Sequence, residues 1–307
     1  MRRRTAGDSG FRRQRLTRAA TACCLGLCLA WGGLTGPAAA QTNPVAAQPA
    51  PAVPLPPPRI ITLAPNATEL VYAAGAGADI VGTVLRSDYP PEARAIPRVG
   101  DGIQLSEETI LTLHPTLVVA WVPTEGTRSL AERLAPLNVP LIYANPKSLD
   151  DIPALIRDLG TRLHTESTAE PAARALERRI DALQPAPPPP QTVFIEISAD
   201  PLYTLGRDPL TNDLLARCGG LNPYAASPIP APQVSVESVL VLNPHVVVLS
   251  PYGKQTLAAR RAWWAQHGLE AAHAGHIYAI DPDLLHRPGP RLVDAAEQLC
   301  ADLRAAR

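Results

Sequence analysis

"QLSEETILTLHPTLVVAW" occupies residues 104–121, and "QVSVESVLVLNPHVVVLS" occupies residues 233–250. Offset by 129 positions, the two agree at eight of eighteen places: Gln, Ser, Glu, two Leu, Pro and two Val. Ser106 and Ser235 stand where a helix N-cap is needed, since a serine hydroxyl can accept from the free amides of the first turn. Ile110 and Leu113, like Val239 and Leu242, give each short helix an inward face. Pro115 and Pro244 forbid its continuation. "TLVVAW" and "HVVVLS" are then compact apolar strands. Each copy therefore reads as a capped helix, a break and a buried strand, which is half of a βα unit. One such unit per lobe predicts a two-lobed α/β chain.

The rest of the chain fits that frame. Residues 59–63 read as a strand. Asn66 with Glu69 three positions on suggests a capping box for the next helix, which Gly75 and Gly77 end. Residues 80–84 read as a further strand. Gly75, Gly77 and Gly82 do not make a dinucleotide loop, because the last two are too far apart for G-x-G-x-x-G. Between the copies, residues 148–184 carry apolar side chains at spacings of three and four. A continuous helix of that span would reach ~50 Å at ~1.5 Å per residue, with a break or kink expected at Pro171. Beyond the proline run at 185–190, residues 192–197 and 277–280 read as strands. Residues 211–217 and 291–304 read as helices.

The first forty residues are expected to be an export signal. Seven arginines lie in a basic leader, residues 19–35 are apolar, and Ala38-Ala39-Ala40 precedes Gln41 as a cleavage site. A retained signal anchor is the alternative. The whole chain has 28 basic and 28 acidic residues; without the leader's seven Arg and one Asp, 21 basic stand against 27 acidic, a net −6. That balance argues against a nucleic-acid partner. Cys23, Cys24 and Cys28 lie in the leader, with no convincing lipidation box before them. Cys218 and Cys300 remain, and two cysteines in an exported chain are expected to pair; two buried free thiols are the alternative. Residues 41–58 read as a Pro/Ala-rich linker. The expected organisation is thus a signal over 1–40, the linker, a first lobe over 59–147, a helical and Pro-rich connector over 148–190, and a second lobe over 191–307.

Six segments in this order carry a resemblance: "RIITLAPNATELVYAAGAG", "SDYPPEA", "LTLHPTLVVAW", "ARCGGLNPY", "PQVSVESVL" and "RPGPRLVDAAEQLC". Together they resemble the periplasmic cobalamin-binding proteins of bacterial ABC importers, and more broadly the siderophore and haem binders of the same fold. The likeness runs from Arg59 to the C-terminus. It implies two Rossmann-like lobes joined by a long helical crossover (the class III periplasmic binding protein fold), small hinge motion, and no resident cofactor. It implies a monomer that captures a small molecule in the cleft and docks on the dimeric permease of an inner-membrane importer.

The same resemblance suggests site residues. Trp121, Tyr89 and Tyr203 match aromatic positions, and flat apolar walls with polar tips suit a large flat ligand. Asp283 matches an acidic residue of a late loop. Asp88, Gly100, Asp101, Ala231 and Arg287 lie in neighbouring cleft loops. Two stacking tryptophans of cobalamin binders are missing, with Gly100-Asp101-Gly102 and Ala231 in their places. Glu108 and Glu237, equivalent in the two copies, are implied as permease contacts, one per lobe; the helix dipole alone would also favour them by ~0.3–1 kcal/mol. A haem binder would use Tyr89, Tyr203, Tyr252 or His286, and a ferric-siderophore binder Arg86, Arg207 or Arg287. The seven histidines are too scattered for a zinc or manganese site. No G-x-S-x-G, H-E-x-x-H or P-loop marks an enzyme. A ligand-free sensor would show an occluded cleft.

Overall fold

Both copies of the repeated phrase fold alike. A computed structural model describes residues 57–250 and 256–307; the expected export signal, the linker up to residue 56 and Tyr252 lie outside the described residues. The first lobe carries strands β1 (Ile60–Thr62), β2 (Ile80–Gly82), β3 (Leu117–Ala120) and β4 (Leu141–Tyr143), all parallel, in the order β2-β1-β3-β4. The second carries β5 (Gln191–Glu196), a small antiparallel ribbon β6 (Ser198–Ala199) and β7 (Leu202–Tyr203), then β8 (Gly220–Leu221), β9 (Val246–Leu249) and β10 (Ile277–Ala279). Its parallel sheet runs β10-β9-β5-β8. The phrase supplies β3 in one lobe and β9 in the other, and each lies beside its lobe's first strand. Ile61 faces Val118 in register, and Phe194 faces Val247.

The helices are α1 (Pro65–Ala73), α2 (Glu107–Thr112), α3 (Glu125–Leu134), α4 (Asp151–Leu163) and α5 (Glu166–Asp181), then α6 (Pro209–Arg217), α7 (Val236–Leu242), α8 (Leu257–Gln266), α9 (Glu270–His273), α10 (Pro282–Leu285) and α11 (Leu292–Ala305). In both copies the residue before the proline is left-handed, His114 at φ 47° and Asn243 at φ 45°. That conformation ends α2 and α7 and avoids the right-handed region a following proline disfavours. The caps differ. Ser235 accepts from the Ser238 amide at 3.1 Å, whereas the Ser106 hydroxyl pairs with the Thr109 hydroxyl at 2.7 Å and caps no amide.

Strand alternation sorts side chains into three cores. Ile60, Leu117 and Val119 of the first lobe join Val193, Ile195, Val246 and Val248 of the second in one continuous cluster, together with Ile152, Ile156, Leu159, Leu176 and Ile180 of the crossover. The opposite faces have private cores. Ile61, Val118 and Ile110 serve the first lobe, and Phe194, Val247 and Val239 serve the second. Leu113 packs on its core as expected, but in the second copy Leu240 rather than Leu242 does so.

The crossover is helical, yet it is not one ~50 Å rod. It folds back at His164, which is left-handed at φ 57°, so α4 and α5 lie side by side. Arg157 on α4 reaches both Glu170 and Glu177 on α5, and a Cβ on Gly160 would come within 2.3 Å of Ala169 Cβ. Pro171 sits inside α5 without breaking it. With 16 residues, α5 spans about 24 Å, enough to run from α1, where Thr168 touches Gly75, to α11, where Arg179 meets Asp294 and Glu297.

A second correction concerns Asn66 and Glu69. Pro65 opens α1, Ala64 occupies the cap position, and no side chain caps it. Glu69 is buried and points at the other lobe. Its carboxylate accepts from Arg291 at 2.6 and 3.0 Å and lies 3.6 Å from Arg287. Arg287, only 6% exposed, also donates to Asp88 at 2.7 Å. It approaches Asp283 at 2.9 Å without hydrogen-bond alignment. The Arg291 guanidinium lies over the Tyr89 ring at 4.0 Å. Burial pushes the Glu69 carboxyl above its ordinary range despite the two cations. Burial also works to raise Asp88, but its bond to Arg287 outweighs that and holds it low. This ionic seam binds the first lobe to the loop between α10 and α11.

Cys218 at the end of α6 and Cys300 in α11 are joined, closing a separation of 82 residues, and both are buried. Among the described residues no helix is long and apolar enough to cross a membrane.

Two stability tests follow from this architecture. Cys218→Ser with Cys300→Ser should lower the unfolding free energy by ~2–4 kcal/mol, because the link shortens the accessible loop of the unfolded chain. An unchanged urea midpoint would mean that packing alone holds α6 to α11. Arg287→Met should cost ~3–5 kcal/mol in the same assay, since it strips a buried acid cluster of its counter-charge. Asp88→Asn, at the solvent edge of the seam, should cost ~1 kcal/mol or less.

Candidate functional site

Parallel strands end together, so the loops after them gather at one edge of each sheet. Where those edges face each other lies a cavity of about 570 Å³. Trp121 enters it directly after β3, and Asn145, Pro146 and Lys147 enter after β4. From the second lobe come Ile197 and Ser198 after β5, Tyr203 on β7, Leu205, and Pro230 with Ala231. Asp208 ends its loop by accepting from the Thr211 amide at 3.4 Å, which caps α6. Leu285, His286 and Pro288 close one side. Most of this lining is apolar, with a few polar groups set among it, the usual make-up of a small-molecule site.

The ribbon that carries Tyr203 is tied to the repeated phrase. Tyr203 bridges Gln233, the first residue of the second copy, and the Val234 amide donates to Leu202 at 3.0 Å. Trp121 ends the first copy's strand and remains 42% exposed, its ring free to meet a ligand. The two copies thus contribute to both walls.

Three of the residues singled out from sequence line this cavity: Trp121, Tyr203 and Ala231. Asp88, Tyr89, Asp283 and Arg287 are brought together instead in the ionic seam, which adjoins the cavity through Leu285, His286 and Pro288. Glu69, Tyr89 and Arg291 line a second cavity of about 530 Å³ on the α1, α5 and α11 side. Gly100 and Asp101 form a turn. Asp101 accepts from the amides of Ile103 and Gln104 at 2.8 and 2.7 Å, and those bonds hold its carboxyl below the usual range. Gly100 sits at φ 150°, and a Cβ there would come 2.2 Å from the Gln104 carbonyl. Only glycine fits. The turn carries Ile103 outward, 86% exposed.

Sequence reasoning missed Asn145, Pro146 and Lys147 because it did not see β4. The signal was present: "LIYA" lies between Pro140 and an Asn-Pro turn, a short half-buried apolar strand with punctuation at both ends. Arg207 and His286, named only for alternative ligands, do line the cavity. Burial drives the His286 imidazole below its ordinary pKa, which favours the neutral ring. Among the described residues no three His, Cys, Asp or Glu gather as metal ligands.

Glu108 and Glu237 both occupy the second position of their helices and both are exposed. Neither makes an ion pair among the described residues. Glu107 differs: Arg133 holds it at 2.6 Å and Ser129 donates to it at 3.1 Å. The Glu237 carboxyl is held low by its own amide and by Ser235.

The model of the periplasmic binding protein family matches residues 60–284. The vitamin B12-binding protein of Vibrio cholerae serotype O1 is 37% identical over 250 residues, 81% of this chain and 90% of its own length. That of Pectobacterium atrosepticum is 36% identical over 252 residues, 80% and 88%. Among solved structures, the periplasmic vitamin B12 binding protein BtuF of Vibrio cholerae superposes with a TM-score of 0.70 at 35% identity, covering 82% of this chain and 99% of that one. The apo periplasmic heme-binding protein RhuT from Roseiflexus sp. RS-1 gives 0.68 at 27% identity, with 82% and 99% covered. Two parallel-sheet lobes around one cleft, matched along nearly their whole length, place this chain in the periplasmic binding protein family.

Proposed function

We propose that this protein is the substrate-binding component of an ABC importer, and that it captures cobalamin or a related corrinoid in the periplasm and delivers it to the permease. The observation that carries the reading is the cavity between the lobes, about 570 Å³ and mostly apolar, walled by Trp121 on one side and Tyr203 on the other. Relatives matched over four-fifths of the chain are vitamin B12-binding proteins. In this reading the protein does no chemistry. Its affinity comes from burying an apolar ring system, and the energy for import is supplied at the transporter.

A haem or ferric-siderophore ligand is the second reading. Tyr203 and His286, residue types that ligate haem iron, line the same cavity. Calorimetric titration of the protein lacking its first forty residues separates the two. Cyanocobalamin should bind one to one, and Trp121→Ala should weaken it about tenfold or more through lost aromatic contact. No heat with cyanocobalamin, together with a Soret shift on adding haemin, would replace the corrinoid reading by the haem one.

Docking on the permease is proposed for Glu108 and Glu237. A bilobed protein set on a two-fold partner needs one matching contact per lobe, and these two carboxylates are equivalent, exposed and outside any ion pair among the described residues. Glu107 is already engaged. Glu108→Lys with Glu237→Lys should leave ligand affinity unchanged and reduce uptake in whole cells about tenfold or more, as charge reversal does at a complementary interface. Full uptake by the double variant would remove both residues from the docking surface.

A further inference from the structure

Three arginines lie in loops around the cleft, and the structure uses them differently. Arg287 is buried in the seam, and Arg86 approaches Asp283 at 3.9 Å. Arg207 lines the cavity, and among the described residues its guanidinium donates only to the Ala226 carbonyl, at 3.4 Å. Across from it, on the first lobe, stands Lys147, one of two lysines in the chain. Both are exposed, and neither forms an ion pair among the described residues. The acids nearby are occupied. Asp208 is turned into the α6 cap, where the Thr211 amide and hydroxyl donate to it. Asp151, close to Lys147, accepts from the amides of Lys147 and Ser148 at 2.7 and 3.0 Å. So a mostly apolar cavity holds one cation on each wall that is outside any ion pair among the described residues, with the Asp208 carboxylate turned into its helix cap beside them.

Such a cavity fits a large apolar body bearing one anionic edge. We infer that the cleft selects a corrinoid that keeps its phosphodiester, gripped by Lys147 from the first lobe and Arg207 from the second. This rests on the corrinoid reading above. A phosphodiester offers oxygens to both an ammonium and a guanidinium, and charge-assisted bonds of this kind are about twice as strong as neutral ones. In a cleft partly shielded from solvent, salt screens them less than at an open surface. The same contact spans the cleft from one lobe to the other.

The test compares cyanocobalamin with dicyanocobinamide, which has the corrin ring but lacks the phosphodiester and its nucleotide. Dissociation constants would be measured for the wild-type protein, Lys147→Ala, Arg207→Ala, the double variant, and Lys147→Arg. The wild type should prefer cobalamin about tenfold or more. The double variant should lose about tenfold for cobalamin while its cobinamide affinity stays within about twofold, and Lys147→Arg should retain most of the preference, since either cation suits a phosphate. Intact cobinamide binding also shows that the variants are folded. If the double variant keeps the wild-type preference, or weakens both ligands alike, the cations do not read the phosphate and the inference falls while the corrinoid reading stands. If the wild type binds neither corrinoid, both fall together.

Discussion

The shared apolar core is the constraint on which the rest depends. One face of each sheet, together with α4 and α5, builds a single continuous cluster running from Ile60 through Ile156 and Leu176 to Val193 and Leu299. Lobes joined only by a strand or a loop can swing apart at little cost. Here wide opening would pull buried aliphatic surface into water at ~25 cal/mol per Å². The lobes are therefore held at a set spacing, and the cleft is formed before any ligand arrives. Its width is decided at the back of the molecule, by residues that never touch the ligand.

This explains how the repeated phrase works. Val118 and Val247 face private cores, while Val119 and Val248 face the common one. Each copy thus builds its own lobe with one side chain and welds it to the other lobe with the next. The strand and the break at the proline were legible, because each follows from local chemistry; the left-handed residue before the proline came only from the structure. The fold-back of the crossover was less so. Apolar spacing of three and four continues through residues 148–184 and gives no hint of a turn. His164 supplies the left-handed turn, and histidine in that conformation leaves little trace in a sequence. Pro171 drew attention away from it, although α5 tolerates that proline.

The site divides along the same line. Trp121 was legible because it ends an evident strand. Tyr203 and Ala231 were reached through likeness to known binders. Lys147 was not, because its strand has only three residues. The seam was the least legible part. Glu69 followed Asn66 at capping-box distance, and local reasoning assigned it a local task. Its partner is Arg291, 222 positions away. A single sequence carries no pattern for an ion pair of that separation. Asp88, Tyr89, Asp283 and Arg287 were read as ligand-binding residues, and the geometry gathers them into one network beside the cavity.

Charge then completes the division of labour between back, middle and front. At the back, apolar packing fixes the lobes. In the middle, the seam gathers acids and arginines and matches most of them to one another. At the front, the Asp208 and Asp151 carboxylates are turned to helix caps and backbone amides. What remains to face an incoming molecule is aromatic and aliphatic wall, with Lys147 and Arg207 on either side. The missing tryptophans fit this picture. A cleft whose spacing is set from behind can hold a flat ligand with fewer stacking walls, provided that an edge group is seized from both lobes at once.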